Sequence, residues 1–170
     1  MADATPGPRQ QFLDAFEREH QTTMKVLRAY PPDRMELQPH PRSSTARDLA
    51  WTFVMEQVLA EKALTTGFDW SKPPTGMPKA PQTLDEITAA LEQSHQKIVQ
   101  LVRDFPDEKF SDTVQFMVGP KTLGDVPIIA FLWFLLSDQI HHRGQLSVYL
   151  RMADGKVPSI YGPTADEPWF

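Results

Sequence analysis

Asp138 and His142 are the two residues of this sequence whose types and spacing point most directly to metal chemistry. They are four positions apart, and side chains at i and i+4 of an α-helix lie one above the other on the same face. A carboxylate and an imidazole in that arrangement can bind one divalent cation, which would lower the pKa of a water or a substrate thiol. The spacing also fits an aspartate–histidine hydrogen bond at the end of a hydrophobic core, so both interpretations stay open.

The residues around this pair indicate the helix that must position it. The run from Ile128 to Leu136 is apolar on every side, which is typical of a buried helix. The helical row that includes Phe131 continues through Asp138 and His142, so both polar side chains are expected to point into the protein and to need partners there. His141 lies about 100° further round the helix and is less suited to the same point.

The distribution of proline predicts four helices. Proline accounts for 16 of the 170 residues, yet four long windows contain none. These windows are 9–30, 42–72, 82–105 and 128–157. Because proline breaks the interior of a helix, and because apolar residues recur at helical spacing, each window predicts a helix. The fourth helix is expected to begin near Thr122, with Pro127 in its first turn, and to end at Gly155.

These windows predict an all-α fold, a single four-helix bundle with long connecting loops. The connecting segments are 30–44, 67–82 and 106–121. They are longer than most links in bundles and could cross over the bundle or carry a site. Within the last one, Thr113–Val118 alternates weakly and fits either a short strand or an extended loop. Residues 1–8 are expected to form a flexible N-terminal tail and residues 9–170 the bundle domain.

The composition narrows the possible functions. A chain of 170 residues, of which 41% are hydrophobic, fits one domain with its own core. The net charge of −5 argues against nucleic-acid binding, which needs a basic surface. The absence of cysteine excludes a disulfide framework, thiolate zinc clusters and a cysteine nucleophile, and it fits a reducing compartment.

Membrane segments are not expected either. The most apolar stretch, Val126–Leu136, is too short to span a bilayer. The first ten residues contain no apolar segment of the kind found in signal peptides. We therefore expect a cytoplasmic protein that has neither a nucleic-acid nor a membrane partner.

Several segments resemble proteins of the DinB/YfiT-like family. The run His141-His-Arg-Gly-Gln-Leu-Ser-Val-Tyr-Leu-Arg151, followed by Val157-Pro-Ser-Ile-Tyr-Gly-Pro163, is similar to the C-terminal part of that family. The segments Pro39-His-Pro41 and Ala46-Arg-Asp-Leu-Ala-Trp51 are similar to its N-terminal part. The resemblance extends over nearly the whole chain.

This resemblance implies a four-helix bundle, often dimeric, in which three histidines hold a divalent metal. One histidine comes from the second helix, and two come from an H-x3-H pair on the fourth. Some relatives are thiol-dependent S-transferases or isomerases. The resemblance therefore also implies a small-molecule partner such as a low-molecular-weight thiol, and a homodimer as the assembly.

Only part of that ligand set is carried over. His142 matches the last histidine, whereas Asp138 stands at the preceding ligand position and Thr52 stands where the second-helix histidine is expected. Threonine is a poor ligand for a divalent cation. Two residues could substitute for it: Glu56, one turn beyond Thr52 on the same face, and His20, which interrupts the apolar face of the first helix. Glu56 could instead be a salt-bridged helix residue, and His20 a hydrogen-bonded core histidine.

The altered ligand set would change the metal preference. A set of Glu56, Asp138 and His142, with or without His20, is richer in oxygen than three histidines. It would favour Mn or Fe, or weaker Zn binding, and Ni is a further candidate.

Other polar residues could serve the same site. The candidate bases are Glu56, His141 and His142. Arg143, Gln145 and Tyr149 could orient a cofactor or substrate, and Arg143 could equally bind a carboxylate on a neighbouring helix.

Two kinds of function remain. The first is a metal-dependent enzyme, a thiol-dependent transferase or a hydrolase-like protein, with an altered metal site. The second is a metal-free four-helix bundle that binds a small molecule, or a dimeric stress-associated protein without catalysis, and the absence of a histidine at position 52 favours it. Metal content, together with the effect of changing Asp138 and His142, discriminates between them.

Overall fold

The computed structural model describes residues 6–71 and 78–170, most of which are helical. The four long helices are α1 (Pro8–Ala29), α2 (Ala46–Leu64), α3 (Leu84–Asp104) and α4 (Ile128–Met152). A hairpin of β1 (Thr113–Gly119) and β2 (Thr122–Pro127) lies between α3 and α4 in the chain. The predicted four-helix bundle is confirmed, and the hairpin makes the description all-α only approximate.

Local hydrogen bonds explain where two of the helices begin. The Thr83 side chain accepts a hydrogen bond from the backbone N–H of Glu86, and the Glu86 carboxylate accepts one from the backbone N–H of Thr83. This capping box satisfies two donors that the first turn of α3 cannot pair within the helix. At the start of α2, the Thr45 side chain accepts from the backbone N–H of Asp48 in the same way.

Buried apolar residues form two clusters at opposite ends of the bundle. One cluster joins the end of α1, the first halves of α2 and α3, and the end of α4, and it includes Phe53 and Leu150. The other joins the first half of α1, the ends of α2 and α3, and the start of α4, and it includes Phe12 and Phe131. It follows that α1 and α4 run parallel to each other and antiparallel to α2 and α3.

The order of the helices around the bundle differs from their order in the chain. α2 packs against α3 and α4, and α1 packs against the same two helices. α1 and α2 therefore lie at diagonal corners. The segment that connects them has to cross the end of the bundle, which accounts for its length.

Between the two apolar clusters lies a layer that we call the polar belt. Among the described residues, the buried polar side chains are His20, Thr23, Glu56, Gln57, His95, Gln139 and Arg143. All of them lie near the middle of a helix, between the positions that the two apolar clusters occupy. Burial of a polar group costs free energy unless the group is paired. We therefore expect functional residues among the side chains of the polar belt.

The predicted start of the fourth helix near Thr122 is wrong, because Thr122–Pro127 forms strand β2. This strand pairs antiparallel with β1, so that Val126 lies opposite Val114 and Gly124 opposite Phe116. Pro127 is tolerated because it ends the strand and immediately precedes the helix. Thr113–Val118, for which a strand and an extended loop were both open, belongs to strand β1.

The ends of the chain are described in part. α1 begins at Pro8, and residues 1–5 of the predicted N-terminal tail lie outside the described residues. The flexibility of that tail stays a prediction. Across the described ranges, none of the helices combines the length and the apolar character that crossing a membrane requires.

Candidate metal centre

Three of the predicted ligands come together between α2 and α4. Glu56 contributes a carboxylate oxygen from α2, and Asp138 and His142 contribute an oxygen and a nitrogen from α4. These three ligand atoms all lie within 4.8 Å of one another. The i, i+4 spacing on α4 and the antiparallel packing of α2 beside it produce this convergence.

The closest contact in this group joins the two helices. Nδ1 of His142 lies 2.7 Å from Oε1 of Glu56, and it lies 4.0 Å from Oδ1 of Asp138. Glu56 is only 3% exposed, and its second oxygen, Oε2, is buried without a hydrogen-bond partner. A buried carboxylate oxygen that lacks a partner is costly, and a cation would satisfy it. The three residues therefore fit a divalent metal chemically.

The electrostatics of the pair favour a shared proton when no cation is bound. Burial raises the pKa of Glu56 to about 7, although the hydrogen bond with His142 acts in the opposite direction. The hydrogen bond with Glu56 raises the pKa of His142 above its ordinary value. The two groups therefore hold a proton between them near neutral pH. A cation bound here would displace that proton, because metal ligands bind in their deprotonated forms.

Thr52 does not belong to this group. Its hydroxyl donates to the backbone carbonyl of Asp48, one turn earlier on α2, at 3.1 Å. The hydroxyl is thus used within its own helix. Glu56, one turn further along the same helix, supplies the α2 side chain of the group.

His20 is not brought to this group, although the sequence analysis named it as a candidate ligand. Its imidazole ring stacks on the ring of His95, with the ring centroids 3.7 Å apart. The physical reason is the helix order, because α1 lies diagonal to α2 and turns this face towards α3. His95 received no role from the sequence. The signal that could have found it is the repeated spacing Glu17-x-x-His20 and Glu92-x-x-His95.

The other residues named from the sequence lie around the group. His141 is exposed, and the amide of Gln145, also exposed, donates to its Nε2 at 3.0 Å. Tyr149 is buried, and its hydroxyl donates to the carbonyl of Ser44 at 3.1 Å. Tyr149 therefore fastens the segment before α2 to α4.

Arg143 pairs with a carboxylate across helices, which is one of the two alternatives left open for it. The residue is 1% exposed, and its guanidinium lies 2.6 Å from Oε2 of Glu19 on α1. It also donates to the backbone carbonyl of Glu19, to the hydroxyl of Thr23 and to that of Tyr161. Arg143 thus joins α4, α1 and the C-terminal segment. Neither Glu19 nor Tyr161 was predicted from the sequence as a partner of Arg143.

The fold and the site together define a four-helix-bundle protein with a candidate metal centre between two facing helices. The sequence model of the DinB family matches residues 1–168. The chain therefore belongs to the DinB family.

Similar proteins agree with this assignment. A protein of Bacillus subtilis (strain 168), described as "Uncharacterized protein YrdA", is 28% identical over 159 residues, which are 92% of this chain and 89% of that protein. The crystal structure of a DinB-like protein from Bacillus cereus ATCC 10987 superposes with a TM-score of 0.73 at 22% identity, covering 89% of this chain and 97% of that one. YfiT from Bacillus subtilis superposes with a TM-score of 0.63 at 13% identity, covering 92% and 94%. YfiT is described as a probable metal-dependent hydrolase with an unusual four-helix bundle topology.

Proposed function

We propose that this DinB-family protein is a metal-dependent enzyme whose divalent cation is held by Glu56, Asp138 and His142. The observation that carries the proposal is the convergence of the three ligand atoms within 4.8 Å. The unpartnered Oε2 of buried Glu56 supports it, because a bound cation would satisfy this atom. The description of YfiT as a probable metal-dependent hydrolase supports it by analogy.

The donor set favours a hard cation. Two carboxylates and one imidazole suit Mn or Fe(II). Ni and Zn are alternatives, and we expect this site to bind them more weakly than the three-histidine site that the family resemblance implies. Glu56 is the buried ligand, whereas the side chains of His142 and Asp138 are 21% and 39% exposed. A substrate therefore approaches from the α4 side of the site.

The reaction class that we propose is thiol-dependent group transfer or hydrolysis. When bound, a divalent cation supplies Lewis acidity that lowers the pKa of a water or thiol. His141 is exposed and lies next to His142 in the chain, and we assign to it the transfer of a proton to or from the substrate. Any thiol has to come from a separate low-molecular-weight molecule, because the chain has no cysteine. Lack of cysteine also fits the cytoplasm as the place of action.

A homodimer is part of the proposal. Exposed apolar side chains lie along one face of α4, which is unusual for the surface of a monomer. They include Trp133, Phe134, Val148 and Met152. Light scattering of the purified protein tests this point.

The alternative is a metal-free bundle that binds a small molecule or acts without catalysis. One specific observation favours it: Glu56 and His142 already satisfy each other at 2.7 Å, with a threonine at the position of the implied third histidine. In that case Asp138 and His142 would line a binding site or contribute to stability only.

Activity measurements separate the two functions. Tag-free protein loaded with Mn, Fe(II), Ni or Zn is assayed for transfer of a low-molecular-weight thiol to an electrophile and for ester hydrolysis. The enzyme proposal predicts metal-dependent turnover that is lost in His142→Ala and Asp138→Asn. The exposed loop residue His40 offers a matched control, and His40→Ala should keep full activity. Metal-loaded protein that turns over neither class of substrate would contradict the proposal.

A further inference from the structure

Two identical short motifs face each other across the α1–α3 interface. Glu17-x-x-His20 lies on α1 and Glu92-x-x-His95 lies on α3. Because the two helices run antiparallel, each histidine meets the glutamate of the other helix. Nε2 of His95 donates to Oε2 of Glu17 at 2.8 Å, and Nε2 of His20 lies 3.5 Å from Oε2 of Glu92.

The two imidazole rings at the centre of this arrangement are stacked. Their centroids are 3.7 Å apart and their planes differ by 10°. His20 and His95 are 6% and 4% exposed, whereas the side chains of Glu17 and Glu92 are about half exposed. Nε2 of His20 and Nδ1 of His95 are buried without a hydrogen-bond partner. The pair therefore sits at the inner side of the interface, with its carboxylates at the solvent side.

This geometry suits protons better than a metal ion. Ligands to one ion have to direct their donor atoms to one point, whereas face-to-face rings direct their nitrogens outward in their own planes. Among the described residues, the three side chains whose possible ligand atoms lie close to one another are Glu56, Asp138 and His142. The His20–His95 pair is not part of this group.

We propose that Glu17, His20, Glu92 and His95 form a pH-dependent contact between α1 and α3, the latch, which stays closed with no more than one proton on its two imidazoles and opens when a second proton binds. The first proton lies on an imidazole that faces a carboxylate of the opposite helix. The second proton would place two positive charges on stacked, buried rings, where their repulsion is poorly screened. The closed latch therefore excludes the doubly protonated state, and separation of α1 from α3 reduces the repulsion between the two charged rings.

The groups around the latch leave its protonation to be determined by its own four side chains. Burial and the neighbouring His95 lower the pKa of His20 to about 4, and Glu92 and Glu17 oppose this effect. Gln21 on α1 also donates to Glu17. From α2 and α4 the polar belt contributes the uncharged Gln57 and Gln139. The charged residues of the belt on those helices, Glu56 and Arg143, are paired with His142 and Glu19.

Opening of the latch would expose apolar surface. Phe16 on α1 stacks on His95 with the ring centroids 4.6 Å apart. Acid would therefore loosen the α1–α3 interface, which lies on the opposite side of the bundle from the α2–α4 interface that holds the candidate metal centre.

Two measurements on the full-length protein test the latch. The first follows the histidine ring carbons by NMR from pH 8 to pH 4. We expect the His20 and His95 signals to report uptake of one proton by the folded protein, with the second proton coupled to loss of the folded signals. Uptake of two protons without a structural change would overturn the proposal. Stoichiometric perturbation of both rings by added Zn at neutral pH would assign the cluster to a metal and would overturn it as well.

The second measurement is hydrogen exchange of α1 and α3 amides, corrected for the intrinsic pH dependence of exchange. The pKa of His20 is ordinarily 6.5, which we take for the open state, and it is about 4 in the closed state. Binding of this one proton therefore increases the equilibrium constant for opening roughly 25-fold between pH 7.5 and pH 5. His20→Gln, which cannot take up that proton, should remove this increase. His141→Gln changes an exposed histidine and should retain it. An equal increase in the wild-type protein and in His20→Gln would overturn the proposal.

Discussion

Nδ1 of His142 on α4 lies 2.7 Å from Oε1 of Glu56 on α2, in the middle of the bundle. This contact brings a buried carboxylate and an imidazole together across two antiparallel helices. Asp138 completes the group from the turn before His142. The candidate metal centre thus uses two ligands that follow from the spacing on one helix and a third that depends on how α2 packs beside it.

A histidine in place of Thr52 on α2 should strengthen metal binding. Thr52→His places an imidazole one turn before Glu56 on the same face, and an added nitrogen ligand favours Zn and Ni over Mn. We expect the affinity for Zn to rise by about tenfold or more, which corresponds to about 1.4 kcal/mol. Competition with a chromophoric chelator measures this change. Thr65→His, at an exposed position after the end of α2, is the matched control and should leave the affinity unchanged.

Loss of Arg143 should destabilise the protein strongly. Its guanidinium is buried and pairs with Glu19, so Arg143→Leu leaves a largely buried carboxylate without its cation. Breaking a buried pair in this way costs about 3–5 kcal/mol in the free energy of unfolding. Urea denaturation at pH 7 measures the cost. Arg151→Leu removes an exposed ion pair with Asp166, and its effect should be much smaller. Equal effects of the two variants would argue against the role given to Arg143.

Two glycines should respond to alanine in opposite directions. A Cβ at Gly144, inside α4, meets no atom within 4 Å. Gly144→Ala should therefore raise the free energy of unfolding by about 0.5–1 kcal/mol, because alanine favours the helix. A Cβ at Gly124 in β2 would lie 2.9 Å from Cγ2 of Val118, so Gly124→Ala should destabilise the hairpin. Thermal denaturation should show a higher melting temperature for Gly144→Ala and a lower one for Gly124→Ala than for the wild-type protein.

His20 should make the protein less stable in acid. Its pKa is about 4 in the folded protein and ordinarily 6.5, so between these values the unfolded chain binds a proton that the folded chain does not. The stabilising contribution of neutral His20 is therefore present above pH 6.5 and is lost as the pH falls towards 4. The loss amounts to about 2 kcal/mol between pH 7 and pH 5.

Urea denaturation at both pH values compares the wild-type protein with His20→Gln. The variant should lose less stability on acidification, by that amount, whereas His141→Gln should behave as the wild-type protein does. If acidification lowers the stability of the wild-type protein and of His20→Gln equally, the effect comes from other groups.

The bundle could be predicted from the sequence because its signals are local. Proline-free windows with helical apolar spacing located all four helices. The start of the fourth helix was misplaced because Pro127 fits a first helical turn as well as the end of a strand. Pairing of β2 with β1 decides between these possibilities, and strand pairing is not a local property.

The candidate site was predictable only in part, for a related reason. The spacing of Asp138 and His142 is local to α4, and Glu56 followed from its helical distance to Thr52. The position of His20 depends on which helices are neighbours, and periodicity along one helix does not contain that information. His20 interrupts an apolar face as a ligand would, yet its helix faces α3, where it meets His95.

Metal content shows whether Glu56, Asp138 and His142 hold a divalent cation, as we propose. Tag-free protein is loaded separately with Mn, Fe(II), Ni and Zn, dialysed, and analysed for metal per chain beside His142→Ala and the control His40→Ala. We predict close to one ion per chain for at least one metal in the wild-type protein and in His40→Ala, and none in His142→Ala. Wild-type protein that retains no metal under any loading, or that retains the same amount as His142→Ala, would contradict the claim.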